Sequence, residues 1–137
     1  MTATGLLDVL ADWVTLRAQG TDGRPVVVLV DRAVATTAPY ADHPTQVAVA
    51  VPFGPTADGQ PGDADTARLR ELEQQLVDAA AGHGRLVAVM TLDGVREWVL
   101  YARSTDWADP FVQAGISVLV GDDPTWAGLA ELTGAPR

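Results

Sequence analysis

Hydrophobic and polar residues alternate along Asp12–Ala18 (Asp-Trp-Val-Thr-Leu-Arg-Ala), the period-two pattern of a half-buried strand. The next apolar stretch, Pro25–Asp31, is an almost unbroken Val/Leu run and suits a central strand. Gly20-Thr-Asp-Gly23 between them supplies turn residues, so Trp13, Val14 and Leu16 are expected to pair back onto the second strand as a hairpin. Ala33–Pro44 has no clear period, and Pro39 and Pro44 discourage helix and interior strand alike. Alternation resumes in Thr45–Phe53, with Val47, Val49, Val51 and Phe53 on one face and Gln46, Ala48 and Ala50 on the other. Two prolines and three glycines among nine residues mark Gly54–Gly62 as a loop.

From Ala64 to Ala81 the period changes to that of a helix. Leu69, Leu72, Leu76 and Ala79/Ala80 form one apolar stripe. Asp63 or Asp65 can cap its start, and Gly82 and Gly84 supply left-handed residues to stop it. Arg85–Leu92 and Val95–Arg103 then form a hairpin around Asp93-Gly94, a dipeptide preferred in tight primed turns. Counting outward places Val89 opposite Trp98 and Val87 opposite Leu100 on a face beneath helices. It places Met90 opposite Glu97, Ala88 opposite Val99 and Leu86 opposite Tyr101 on the other face. Thr105–Gln113 is a short helix capped by Ser104 or Thr105, with Trp107, Phe111 and Val112 inward and Pro110 limiting its length. Ile116–Val120 is the last strand. Asp123 then caps a final helix with Pro124 at its first position and Trp126, Leu129, Ala130 and Leu132 on its apolar side; Gly134 ends it.

The order β-β-β-α-β-β-α-β-α contains a βαββαβ unit, the split arrangement of ferredoxin-like domains. The expected fold is one α+β domain over residues 1–137: a ferredoxin-like βαββαβ core, an added N-terminal β-hairpin and a short C-terminal helix. Its helices are expected on one face of a mainly antiparallel sheet, leaving the other face open.

Composition narrows the function classes. With 137 residues, 47% hydrophobic and 20% charged, the chain can bury one real core. It has no cysteine, which excludes disulfides, thiolate catalysis and cysteine zinc sites. Net charge is −9, from 18 acidic residues against nine arginines and no lysine, so direct nucleic-acid binding is not expected. No window approaches the ~20 apolar residues of a membrane helix. Met1–Asp8 lacks the basic region and apolar core of a signal peptide, which points to the cytoplasm.

Trp13, Gly23-Arg-Pro25 leading into the Val/Leu run to Asp31, and Ala38-Pro39 are followed by Asp58-Gly59, Leu69, Leu72-Glu73 and Leu76. Thr91, Gly94, Arg96-Glu97, Tyr101 and Asp123-Pro124-Thr125-Trp126 complete the series. In that order and spacing the chain resembles the domain-of-unknown-function family numbered 695, from about Trp13 to Trp126. It departs from the family pattern in the compact segment between Tyr101 and Ile116 and in an ending poor in aromatics. The resemblance implies a fold and no activity. A more distant likeness of some relatives to the B-type inhibitor of ribonuclease E is one of analogy.

Catalytic machinery is not visible in the sequence. His43 precedes a proline and His83 sits in a Gly-His-Gly helix stop, so both read as turn residues; no metal-binding histidine spacing exists. Asp58–Asp65 lacks the spacing of a calcium loop, no phosphate-binding glycine loop is present, and no serine lies in a nucleophile elbow. No catalytic residue, metal ligand or cofactor is therefore assigned. The strongest candidate surface is a polar ladder of Arg96, Glu97, Tyr101 and Arg103, since Arg and Tyr are common binding anchors; the competing account is an internal network that fixes hairpin register. Trp98 is read as core, and Trp13, Trp107 and Trp126 as packing. The function this supports is a non-enzymatic protein-interaction or regulatory module on the open sheet face, with an unidentified protein partner and a homodimer as one option. Two alternatives stand beside it. One is a regulator of RNA processing resembling the ribonuclease inhibitor, acting on a basic protein segment. The other is a divalent-metal hydrolase built from Asp93, Glu97, Asp122 and Asp123.

Overall fold

A computed structural model of the chain describes residues 13–19, 25–54, 56–57, 59–92 and 94–133. The predicted turn at 20–23, the proposed metal ligand Asp93, and Asp12, Asp58 and Gly134 lie outside the described residues. Strands β1 (Trp13–Gln19) and β2 (Pro25–Asp31) pair antiparallel as the expected hairpin. β3 spans Thr45–Pro52, β4 Gly84–Leu92, β5 Val95–Ala102 and β6 Ser117–Asp122. The sheet order is β1-β2-β4-β5-β3-β6, and every neighbouring pair is antiparallel. A simple ferredoxin-like sheet has four strands; this one has six among the described residues.

Four α-helices are described: α1 (Arg32–Thr37), α2 (Asp63–Ala80), α3 (Asp109–Gln113) and α4 (Ala127–Thr133), with a 3-10 turn at Asp106–Ala108 leading into α3. Helix α1 departs from the irregular segment expected there. Asp31 ends β2 and accepts from the Val34 amide, so the strand's last residue is also a helix cap. Helix α2 starts after Gly62 with no side-chain cap, and Asp63 and Asp65 lie in its first turn, where carboxylates favour the positive end of the helix. Gly82 takes the left-handed conformation with φ 80°, as expected of a helix stop. Gly84 does not, and is instead a close contact inside β4: a Cβ there would lie 2.8 Å from the Ala102 Cβ and 2.9 Å from the Tyr101 carbonyl oxygen.

The helices lie on both faces of the sheet, which corrects the expectation of one covered face. On the first face, Leu69 and Leu76 of α2, with Trp107 and Phe111, pack onto Val47, Val49, Val89, Trp98 and Leu100. On the second, Val34 of α1 and Leu129 of α4, with Trp126, pack onto Val28, Val30, Val87, Val99 and Tyr101. The physical reason is in β5: every residue from Trp98 to Ala102 is buried, so each face of that strand needs its own cover. Val112, expected inward, is exposed, because α3 begins later than predicted and points only Phe111 at the core.

The β4–β5 register holds at Val89–Trp98, Met90–Glu97 and Ala88–Val99, then shifts by one residue. Leu86, not Val87, faces Leu100, and Arg85, not Leu86, faces Tyr101. Val87 is the extra residue of a β-bulge, and both Val87 and Ala88 fall in the second core. No described helix is long and apolar enough to cross a membrane.

Candidate functional site

Helix α4 is tied over the second face by polar groups as well as apolar ones. The buried Tyr101 hydroxyl donates to Asp123 Oδ2 at 2.6 Å and accepts from Gln46 Nε2 at 3.0 Å. Asp123 also accepts from the backbone amides of Ala127 (3.0 Å) and Gly128 (2.9 Å), so it caps α4 as expected. Pro124 lies in the preceding turn and not at the first helical position. Trp126, at φ 56°, stacks on Tyr101 with centroids 4.2 Å apart and planes 15° apart. Its indole N–H donates to the His43 carbonyl at 2.8 Å. Burial, reinforced by the Asp123 carboxylate, pushes the Tyr101 phenol well above its ordinary range.

The four residues read as one ladder are thus separated. Arg96 lies beside Thr91, to whose hydroxyl its Nε donates at 3.1 Å, and burial lowers its affinity for its proton. Glu97 lies half-buried on the opposite side of the sheet, and burial raises its carboxyl pKa. Tyr101 is enclosed beneath α4 and offers a partner nothing. Only Arg103 is exposed. Of the carboxylates considered for a metal, Asp123 is engaged by Tyr101 and two amides. No group of three potential metal ligands occurs among the described residues.

Arg103 instead joins a cleft that the sequence reading did not assemble. Pairing between β2 and β4 ends at Val30–Ala88, beside the bulge, where Asp31 turns the chain into α1. Beyond that point Gly84–Leu86 have β5 on one side and no described strand on the other. A notch of about 410 Å³ opens there. Val77 supplies apolar surface, with the core residues Ala80 and Leu86 behind it; Tyr40 and His43 from the α1–β3 connection, with Arg85 and Arg103, supply polar groups.

Each arginine of this notch stands near a carboxylate. Arg85 Nη2 lies 3.9 Å from Asp31 Oδ2, and Arg103 Nη2 lies 3.9 Å from Asp42 Oδ2. Neither distance is a hydrogen bond, so both guanidinium groups keep donors for another acceptor. Asp31 is buried, and its Oδ2 has no hydrogen-bond partner among the described residues. His43 Nδ1 lies 2.7 Å from Asp42 Oδ1, and this contact chiefly holds the Asp42 carboxyl below its ordinary pKa. The wall is rigid on one side: Tyr40 packs on Trp126 at 5.0 Å and meets His43 edge-on at 5.9 Å. One signal for this site was present in the sequence, since Arg85 and Arg103 mark the two open ends of the β4–β5 hairpin. Tyr40 and His43 reach it only through the fold.

The sequence model described as Family of unknown function (DUF695) matches residues 11–130 of the 137. The chain belongs to the DUF695 family. Comparison with curated proteins and with solved structures returned no match. The DUF695 match covers all six strands and the notch, so fold and cleft fall within the family's span.

Proposed function

We propose that this DUF695 chain is a non-enzymatic protein-interaction module that receives an extended peptide segment in the notch beside β4. The observation that carries this reading is the meeting of two exposed arginines with an unpaired stretch of strand edge, in a chain of net charge −9. An unpaired edge accepts a peptide backbone through main-chain hydrogen bonds. The guanidinium forks recognise a carboxylate, and the half-buried Val77 receives an apolar neighbour. The overall negative charge repels a polyacidic partner at long range. The fitting ligand therefore carries one carboxylate, either an isolated Asp or Glu or a chain terminus, next to an apolar side chain. Loops carrying binding groups on a rigid scaffold are a common arrangement, and bulges recur beside such sites.

For the fold, we read β6-β3-β5-β4 with α2 and the 3-10/α3 segment as a ferredoxin-like core. Its support is the order of those four strands and the two helical crossovers, each returning parallel with one strand between; β2 and β1 then extend the β4 edge.

Selection from a displayed random peptide library tests the function. Wild-type protein should enrich peptides with a single acidic residue beside an apolar one. The double variant Arg85→Ala/Arg103→Ala, checked for an unchanged near-ultraviolet spectrum, should bind those peptides on the order of a hundredfold more weakly, as expected for losing two charge-assisted contacts. Enriched peptides without acidic residues, or equal binding by the double variant, would refute the assignment.

A further inference from the structure

Three of the four large hydrophobic side chains that stand exposed among the described residues lie together, far from the notch in strand order. They are Val120 (53% exposed) on the face of β6 that α3 flanks, Leu119 (70%) on the opposite face of the same strand, and Val112 (53%) on α3, the helix that packs beside β6. β6 is the sheet's last strand: it pairs with β3 and, among the described residues, with no strand on its other side. Its backbone donors and acceptors on that side form a template for another strand. The opposite edge, β1, carries the exposed Arg17 in mid-strand. Ile116–Gly121 contains no charge and no proline. The charge that β6 carries is its terminal Asp122, so the middle of this edge has neither the charge nor the proline that ordinarily keeps an edge from pairing.

We propose that β6 is a self-association edge, where two copies of the chain meet antiparallel about a two-fold axis through Leu119. Directly opposite residues in an antiparallel pair share a face. Centring on Leu119 sets it against Leu119 of the second copy and sets Val118 against Val120 twice, so apolar meets apolar on both faces. Val118 and Val120 lie beside Val49 and Val47 of β3, on the face that α3 flanks. Asp122 then faces Ile116. Sliding the pair by two residues toward the C-terminus would instead bury Asp122 against Val118.

Charge selects the same place. Two copies at −9 each repel over most of their surfaces, and Ile116–Gly121, which carries no charge, is where that cost is least. A ladder of six residues from each copy falls short of the roughly 1,200–2,000 Å², some 20–30 residues a side, that stable interfaces bury. The dimer is therefore reversible, with a dissociation constant on the order of micromolar.

Sedimentation equilibrium on the full chain, from about 1 μM to about 1 mM, tests this. The mean mass should rise from 14.4 kDa toward twice that value. Leu119→Glu places two carboxylates at the axis and should weaken association at least tenfold, whereas Leu16→Glu, on the other edge, should leave it unchanged. Because the chain has no cysteine, Leu119→Cys adds one thiol per copy, and mild oxidation should give a covalent dimer that Leu16→Cys does not. A monomer throughout the concentration range would overturn the proposal. So would a dimer indifferent to Leu119→Glu. The peptide selection does not use this edge, so either result can fail without the other.

Discussion

Replacing Tyr101 by phenylalanine removes one oxygen and keeps the ring, which isolates the polar tie between the sheet and α4. The lost hydroxyl donates to the Asp123 carboxylate at 2.6 Å, a charge-assisted bond of about 1.5–3 kcal/mol. Gln46 Nε2, 3.0 Å away, also loses its acceptor, although its partial exposure lets water replace part of that contact. The stack on Trp126 remains and no cavity opens, so the expected cost is about 2 kcal/mol. For a chain of this size that lowers the melting temperature by roughly 6–10 °C. Urea unfolding followed by tryptophan fluorescence should show a lower midpoint at unchanged slope. A double-mutant cycle with Asp123→Asn should give a coupling energy above about 1 kcal/mol. The sign of the pH dependence follows from the raised phenol pKa: the folded state holds its proton at pH values where an unfolded tyrosine, near 10, has released it. The contribution is complete below about pH 10 and is lost as pH rises through the folded value; the phenylalanine variant should lack this slope. A stability loss under about 0.5 kcal/mol would mean that the hydroxyl does not hold α4 to the sheet, and the account of the second face would fall.

Two further outcomes can be checked on the same apparatus. Burial raises the Glu97 carboxyl pKa, so the folded state holds its proton more tightly and stability falls as pH rises through that window; Glu97→Gln should stabilise the protein near pH 7 and lose the advantage near pH 4. Gly84→Ala forces a Cβ to within 2.9 Å of the Tyr101 carbonyl oxygen, which is backbone and cannot swing aside. It should cost about 2 kcal/mol in the same urea titration, and a neutral result would mean that β4 and β5 are less closely apposed than described.

Strands β2 and β3, helix α2 and the turn side of the β4–β5 hairpin were legible because their apolar residues repeat at one clear period. The bulge was not, because Leu86-Val-Ala-Val-Met90 is apolar throughout and an alternation test has nothing to count. Helix α1 was hidden by its brevity and by Asp31, which closes a strand and opens a helix at once. The second covered face has a mark in the sequence: Trp98–Ala102 has no charged or hydroxyl-rich side, as in a strand buried on both faces. Reading Tyr101 as solvent-facing followed from treating that strand as one-sided. The notch depends on where β2 leaves the sheet, which no local pattern encodes, so Arg103 was found and Tyr40, His43 and Arg85 were not.

The extra residue at Val87 uncouples two parts of one strand. Below it, β4 keeps step with β2 and β5; above it, Gly84–Leu86 follow β5 alone. The lower part anchors the sheet while the upper part sets the direction in which Arg85 points. Removing or adding one residue there would turn that side chain and leave Val89 against Trp98. On the proposed reading of the notch, specificity and foldability then fall to separate segments of the same strand, and one can vary while the other is kept.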